Sequence, residues 1–185
     1  MVSQNPFDQF RLECQKALAG VLEKALPEIK QPNIVLNKTP NIEYGQLASS
    51  ICFELAKKLN QKPLALAQHL VSSFDTSNFN LIEKVVPAGA GYINFHVNFD
   101  KFSALTLKSI KQLNKEYGSV KTDKPIRIIV EHTSVNPLHP IHIGQARNPM
   151  LGDALARILL YRGHTNTRHY YIEDVGRQSS VLAYG

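Results

Sequence analysis

The run Ile126-Arg127-Ile128-Ile129-Val130-Glu131 constrains this chain more than any other feature. It is β-branched and nearly continuous, the pattern of a strand covered on both faces, as in a parallel sheet. A loop holding Pro137 and Pro140 follows. Apolar residues then recur at helical spacing through Ile143, Ala146, Met150, Leu151, Ala154, Leu155, Ile158 and Leu159. Gly163 closes that helix, and Thr165 to Ile172 reads as a second strand. Strand, helix and strand in succession predict a βαβ unit with a right-handed crossover. Two parallel strands and one helix cannot cover both faces of a sheet, which needs several strands with helices on each side. Residues 126–185 are therefore expected to open a larger α/β domain, completed by further chain or by a partner.

The upstream sequence has a different grammar. Asn5-Pro6 predicts a helix start, and Phe7, Phe10, Cys14, Ala17, Leu18, Val21, Leu22 and Ala25 keep helical spacing until Pro27. A short strand is expected at Asn33-Ile34-Val35-Leu36. A second helix is expected through Tyr44, Leu47, Ala48, Ile51, Cys52, Leu55, Ala56 and Leu59, and a third from Pro63 to about Phe74. Ile82–Val86 and Tyr92–Phe99 flank a Gly-containing turn and read as an antiparallel pair. In the second of these, Ile93, Phe95, Val97 and Phe99 point one way and Tyr92, Asn94, His96 and Asn98 the other, an open polar face. Asp100 is placed to cap a last helix with Phe102, Leu105, Ile110, Leu113 and Tyr117 inward, ended by Gly118. Residues 1–118 thus read as an α+β domain of helices on a small antiparallel sheet, residues 119–125 as a linker, and 126–185 as the partial α/β domain.

Charge follows the same division. Residues 1–120 hold 13 basic and 10 acidic groups, with Lys at all but one of the basic positions; residues 121–185 hold 8 and 5, with Arg at six. A net charge of +6 is compatible with a polyanionic partner without requiring one. Cys14 and Cys52 lie within helical patterns and form no CxxC pair, so they read as core residues of a reducing compartment. No apolar run approaches the ~20 residues of a bilayer span, and the first residues lack a signal-peptide pattern. The expected location is cytoplasmic, without a membrane partner.

The loop after the first parallel strand concentrates chemistry: Glu131, His132, Asn136, His139, His142, Gly144 and Gln145. Ligands of open parallel sheets bind outside the carboxyl ends of the strands, and the N-terminus of the following helix suits phosphate. Gly144 permits close approach of a nucleotide. Neither GxxxxGK[ST] nor GxGxxG is present. Zinc ligation by His132, His139 and His142 is the weaker reading, since their spacing crosses a Pro-containing loop without a Cys; no metal site is expected.

His142-Ile143-Gly144-Gln145 resembles the HIGH signature of class I aminoacyl-tRNA synthetases, with Gln145 in place of the last His. The wider run is similar to arginyl-tRNA synthetases of the archaeal kind through Glu131–Ser134, Asn136-Pro137, Arg147, Gly152-Asp153-Ala154-Leu155-Ala156-Arg157, Gly163-His164 and Tyr171–Gln178. Tyr44-Gly45, Ala56–Leu59 and Ala88–Asn94 resemble the additional N-terminal domain of that family. The resemblance implies a Rossmann-like nucleotide fold and a reaction in which ATP with Mg²⁺ activates arginine, which then passes to tRNA-Arg, with no bound prosthetic group. His142 and Gln145 would be catalytic; His139, His142, Gly144 and Gln145 would hold ATP; Glu131, Ser134 and Asn136 would hold arginine. The Tyr92, Asn94, His96 and Asn98 face would touch the D-loop corner of tRNA. The KMSKS-type loop and anticodon-binding domain of the family have no counterpart here, so this chain alone is expected not to aminoacylate. A freestanding synthetase paralogue that binds tRNA or a protein is the alternative.

Overall fold

The computed structural model describes residues 2–29, 32–135, 140–172 and 175–184. The chain divides into two compact units, Met1–Tyr117 and Gly118–Gly185. Among the described residues, no helix is long and apolar enough to cross a membrane.

In the first unit, helix α1 (Pro6–Ala25) starts where Asn5 accepts a hydrogen bond from the Asp8 amide, with Pro6 in its first turn. Its inward stripe of Phe10, Cys14, Leu18 and Leu22 is buried. Strands β1 (Leu36–Lys38), β2 (Leu47–Ser49), β3 (Ile82–Ala88) and β4 (Tyr92–Val97) form one antiparallel sheet in the order β1-β2-β4-β3. Helices α2 (Ile51–Leu59), α3 (Pro63–Ser72) and α4 (Phe99–Leu113) complete the unit. Leu47 pairs with Phe95 and Ser49 with Ile93; these side chains are buried in one core with Leu55, Leu66 and Leu70. The Phe74 ring meets Phe95 edge-on at 5.9 Å. Both cysteines are free and buried. Burial pushes the Cys52 thiol up to about 11 and raises Cys14 further, so both act as inert core residues.

Four sequence expectations for this unit change. The helix expected from Tyr44 is a 3-10 turn at Ile42–Tyr44, then β2, then α2. Gly45 separates turn from strand at φ 89. Leu47 and Ile51, four apart, fit either period, and pairing with β1 and β4 decides for strand at Leu47–Ser49. The first strand begins at Leu36, where the Asn33–Leu36 expectation ended. Asn98, not Asp100, caps α4 by accepting from the Lys101 amide, which places Phe99 in the helix and exposes it. Ile110, expected inside, is exposed as well.

In the second unit, β5 (Arg127–Glu131) and β6 (Thr165–His169) pair in parallel, Arg127 opposite Thr165 through Glu131 opposite His169. Helix α5 (Ile143–Tyr161) connects them and α6 (Arg177–Tyr184) follows. Gly152 and Ala156 of α5 and Val130 of β5 are buried. The Asn166 side chain donates to the Ala156 carbonyl at 2.7 Å, and Asp153 bridges Arg157 (2.7 Å) and Arg168 (2.8 Å) between helix and strand. Residues of the expected linker are tied to the end of α5. Ser119 Oγ donates to the Tyr161 carbonyl, the Thr122 amide to the Arg162 carbonyl, and the Arg162 guanidinium to the Val120 carbonyl. The expectation of a strand covered on both faces is not met. Ile129 is 64% exposed, and Ile143, Met150 and Ile158 of α5 are also exposed.

The two cores differ enough to measure. Phe95→Ala is expected to lower the stability of the first unit by about 3–5 kcal/mol in urea unfolding. Ile129→Ser, on the open side of β5, is expected to change stability by less than about 0.5 kcal/mol.

Candidate functional site

The strand-end loop of the second unit reaches α5 through His142, the N-cap residue, whose extended backbone sits at φ −95 and ψ 169. The ring turns back on the helix it precedes. Its Nδ1 accepts from the Gly144 amide at 3.1 Å, while the Gln145 side-chain oxygen accepts from the His142 amide at 3.4 Å. This is a reciprocal capping box, with His in the Ser/Thr place and Gln at N3. The His142 carbonyl accepts from the amides of Gln145 and Ala146. Because Nδ1 is an acceptor, the neutral ring carries its proton on Nε2, an N–H donor left outside the cap. Gly144 has a role within the chain here. A β-carbon there would lie 3.0 Å from His142 Cε1 and 3.2 Å from Nδ1, crowding the ring so that it must shift by a few tenths of an ångström.

Glu131 ends β5 and is exposed, as are His142 and Gly144, while Gln145 is partly buried. Ser134 is exposed too. It lines a cavity of about 450 Å³ at the strand ends with Val135, Tyr170, Tyr171, Arg177 and Gln178. Asn136 and His139, expected for arginine and ATP, lie outside the described residues, as do Glu173 and Asp174. Sequence reasoning gave no role to Tyr170. Its hydroxyl accepts from the Val135 amide at 3.4 Å and donates to the Val135 carbonyl at 3.0 Å. Its place directly after β6 was the available signal. Of the three histidines of the zinc reading, His142 and His132 use Nδ1 in bonds to the Gly144 amide and Thr133 Oγ1, and His139 lies outside the described residues. No group of three or more His, Cys, Asp or Glu among the described residues is placed to hold a metal ion.

The first unit carries a second candidate site. The residues opposite one another across β1, β2 and β4 on the non-core face are Asn37, Ala48 and Asn94. Ala48 leaves a dent between longer neighbours. The resulting cavity, about 600 Å³, is walled by Tyr44, Tyr92, Lys38, Thr39, Ser50 and Gly89. Phe53 meets the Tyr92 ring edge-on at 4.9 Å and holds it upright. Asn94 is 5% exposed, because β4 is an inner strand, and its Oδ1 is buried without a hydrogen-bond partner among the described residues. The expected four-residue face therefore divides. Tyr92 and Asn94 line the cavity; His96 packs near Gly45, and Asn98 caps α4. Burial, then the nearby Lys84, holds the His96 imidazole below its ordinary pKa, with Glu83 opposing. Tyr44 was missed because its stretch read as helix, and Lys38 because it fell between the expected strand and that helix; Asn41 and Gly45, both turn residues, were the signal against the helix.

Both halves of the chain match one family. Residues 12–97 match the arginyl tRNA synthetase N-terminal domain, and residues 106–185 the class I (R) tRNA synthetase catalytic domain. The chain belongs to the arginyl-tRNA synthetase family. It is 41% identical over 169 residues to the arginine–tRNA ligase of Methanocaldococcus jannaschii, covering 91% of this chain and 29% of that protein. It is 42% identical over 182 residues to that of Thermococcus sibiricus, covering 97% and 28%. The solved Thermus thermophilus arginyl-tRNA synthetase aligns with 94% of this chain and 27% of its own, at TM-score 0.57 and 31% identity. The chain thus spans under a third of the length of these relatives, in their N-terminal part.

The cap is testable without any assay of function. Removing an N-cap side chain typically costs about 1 kcal/mol, so His142→Ala should lower the stability of the second unit by about that much. Gly144→Ala should act in the same direction by displacing the ring. Urea titration and amide exchange at residues 143–146 check both; unchanged exchange in either variant would remove the capping role.

Proposed function

We propose that this chain is the N-terminal portion of a class I arginine–tRNA ligase, which activates arginine with ATP and transfers it to tRNA-Arg. The observation that carries the reading is a His-capped helix N-terminus at the carboxyl end of a parallel strand pair. In activation, an oxygen of the arginine carboxylate attacks the α-phosphorus of ATP and pyrophosphate departs. Negative charge grows on the phosphoryl oxygens as it does so. The Gly144 amide donates to His142 Nδ1, leaving Nε2–H to donate outward; each bond polarises the next. A donor fixed by the helix end costs no reorganisation when that charge develops. Gln145 holds the cap closed, and Gly144 offers a surface without a side chain to the nucleoside. Asn136 and His139 complete the reading as arginine and ATP contacts, Glu131 and Ser134 as neighbours of the amino-acid end. Mg²⁺ enters with ATP as part of the substrate.

The tRNA reading rests on the cavity of the first unit. Its ~600 Å³ lies within the usual 300–1,000 Å³ of small-molecule sites. Tyr92 and Tyr44 offer stacking surfaces, and the unpartnered Asn94 oxygen accepts from a base N–H. One unstacked base of the D-loop fits this chemistry. The first 120 residues carry 13 basic against 10 acidic groups, too small an excess for tight non-specific binding.

The 185-residue chain is therefore expected to bind tRNA-Arg in low salt with micromolar or weaker affinity. Loss of a stacking aromatic is worth ~1–3 kcal/mol per base, so Tyr92→Ala should weaken binding at least about fivefold. Asn94→Ala should do the same, His96→Ala should change little, and none should alter binding to a duplex lacking the D-loop. Filter binding at two salt concentrations checks this. Equal losses on tRNA and duplex would remove the base-pocket reading and favour a general electrostatic contact.

A further inference from the structure

His132 is used by none of the roles above, yet its surroundings are the most constrained at the strand end. Its amide donates to the His169 carbonyl at 3.1 Å, extending the β5–β6 ladder by one bond. Its ring lies directly on the backbone of α5 at Gly152. A β-carbon on that glycine would come within 2.6 Å of ring Cδ2, so no other residue fits there without moving the ring or the helix. Glycine is a poor helix former, and its presence at a buried mid-helix position is explained by this close approach. Ring Nδ1 is paired with the hydroxyl of Thr133. Thr133 has φ 68, a left-handed conformation rare for a β-branched residue. The other ring nitrogen, Nε2, is buried with no partner among the described residues. The turn at Thr133 leads straight into Ser134 and Val135, which line the strand-end cavity.

We propose that His132 is a positioning residue. Wedged against Gly152, it holds Thr133 in its left-handed conformation through Nδ1 and so fixes the course of Ser134 and Val135 relative to α5. Two independent contacts support it, the missing β-carbon at Gly152 on one side and the Thr133 hydroxyl on the other. The Tyr170 hydroxyl pins Val135 from just beyond β6, so the short segment is clamped at both ends. The consequence for arginine rests on the proposed ligase function; the clamp itself does not.

The imidazole geometry supplies the test, since Asn places a polar atom where Nδ1 is and Gln where Nε2 is. In the 185-residue chain, amide exchange at Ser134 and Val135 is measured by NMR for His132→Asn, His132→Gln and His132→Ala. Asn is expected to keep exchange within about threefold of the parent, while Gln and Ala raise it at least about tenfold, with α1 amides unchanged as the control. Thr133→Val should match Ala. Parent-like exchange in His132→Ala, or rescue by Gln and not Asn, would overturn the proposal. Arginine affinity is then compared in a ligase whose matched segment is replaced by this chain. A rise of at least about tenfold in the arginine KM for His132→Ala, restored by Asn and with the ATP KM unmoved, supports the positioning of the amino-acid end. Faster loop exchange with an unchanged arginine KM would remove the arginine reading of Ser134 and leave the clamp standing.

Discussion

The first turn of a helix leaves backbone amides without intrahelical partners, and in this chain His142 answers for those of α5. The arrangement at the start of α5 follows from that bond. It places the ring over the helix, close enough that a side chain at Gly144 would crowd it. It commits Nδ1 as acceptor, which leaves the proton on Nε2 and aims the donor away from the cap. It is closed from the other side by Gln145, whose side-chain oxygen accepts from the His142 amide. A histidine in this position is at once a structural cap and a fixed donor at the positive end of a helix dipole, which is what phosphate chemistry asks of such a site.

The first unit depends on a different constraint, the inner position of β4. With β2 on one side and β3 on the other, both edges of β4 are paired, and Asn94 is buried between Ala48 and Val86. A buried amide oxygen without a partner is costly unless something meets it. Here it lines a dent made by the smallness of Ala48 and walled by two tyrosines. The same strand presents Ile93, Phe95 and Val97 to the core, so core and cavity are fixed by one six-residue element.

Much of this was legible from residue order. The Asn5-Pro6 start, the alternation through β4 and the βαβ unit could be read because each is local, carried by a cap, a period or a breaker. Strand β2 was not, since three residues cannot separate a period of 2 from one of 3.6 and only pairing with β1 and β4 decides. That loss hid Tyr44 from the cavity and made the outer face of β4 read as open and wet, although the β3–β4 hairpin itself was read correctly. At the strand end, His142, Gly144 and Gln145 were singled out as residues for a ligand, but their bonds to one another were not legible. A side chain folding back on its own helix leaves no periodic trace. His132 and Gly152, far apart in sequence, are joined only by the crossover of strand and helix.

The capped turn at His142 is held to serve the activation of arginine. The most direct measurement uses the Thermococcus sibiricus ligase with its matched segment replaced by this chain, followed by arginine-dependent ATP–pyrophosphate exchange. The parent chimera is expected to catalyse exchange. His142→Ala should lose on the order of 10²-fold in kcat, with the arginine KM little changed, because a donor to the phosphoryl oxygens acts mainly in the transition state. An active parent chimera with a His142→Ala variant of equal kcat would contradict this, leaving His142 as a helix cap and nothing more.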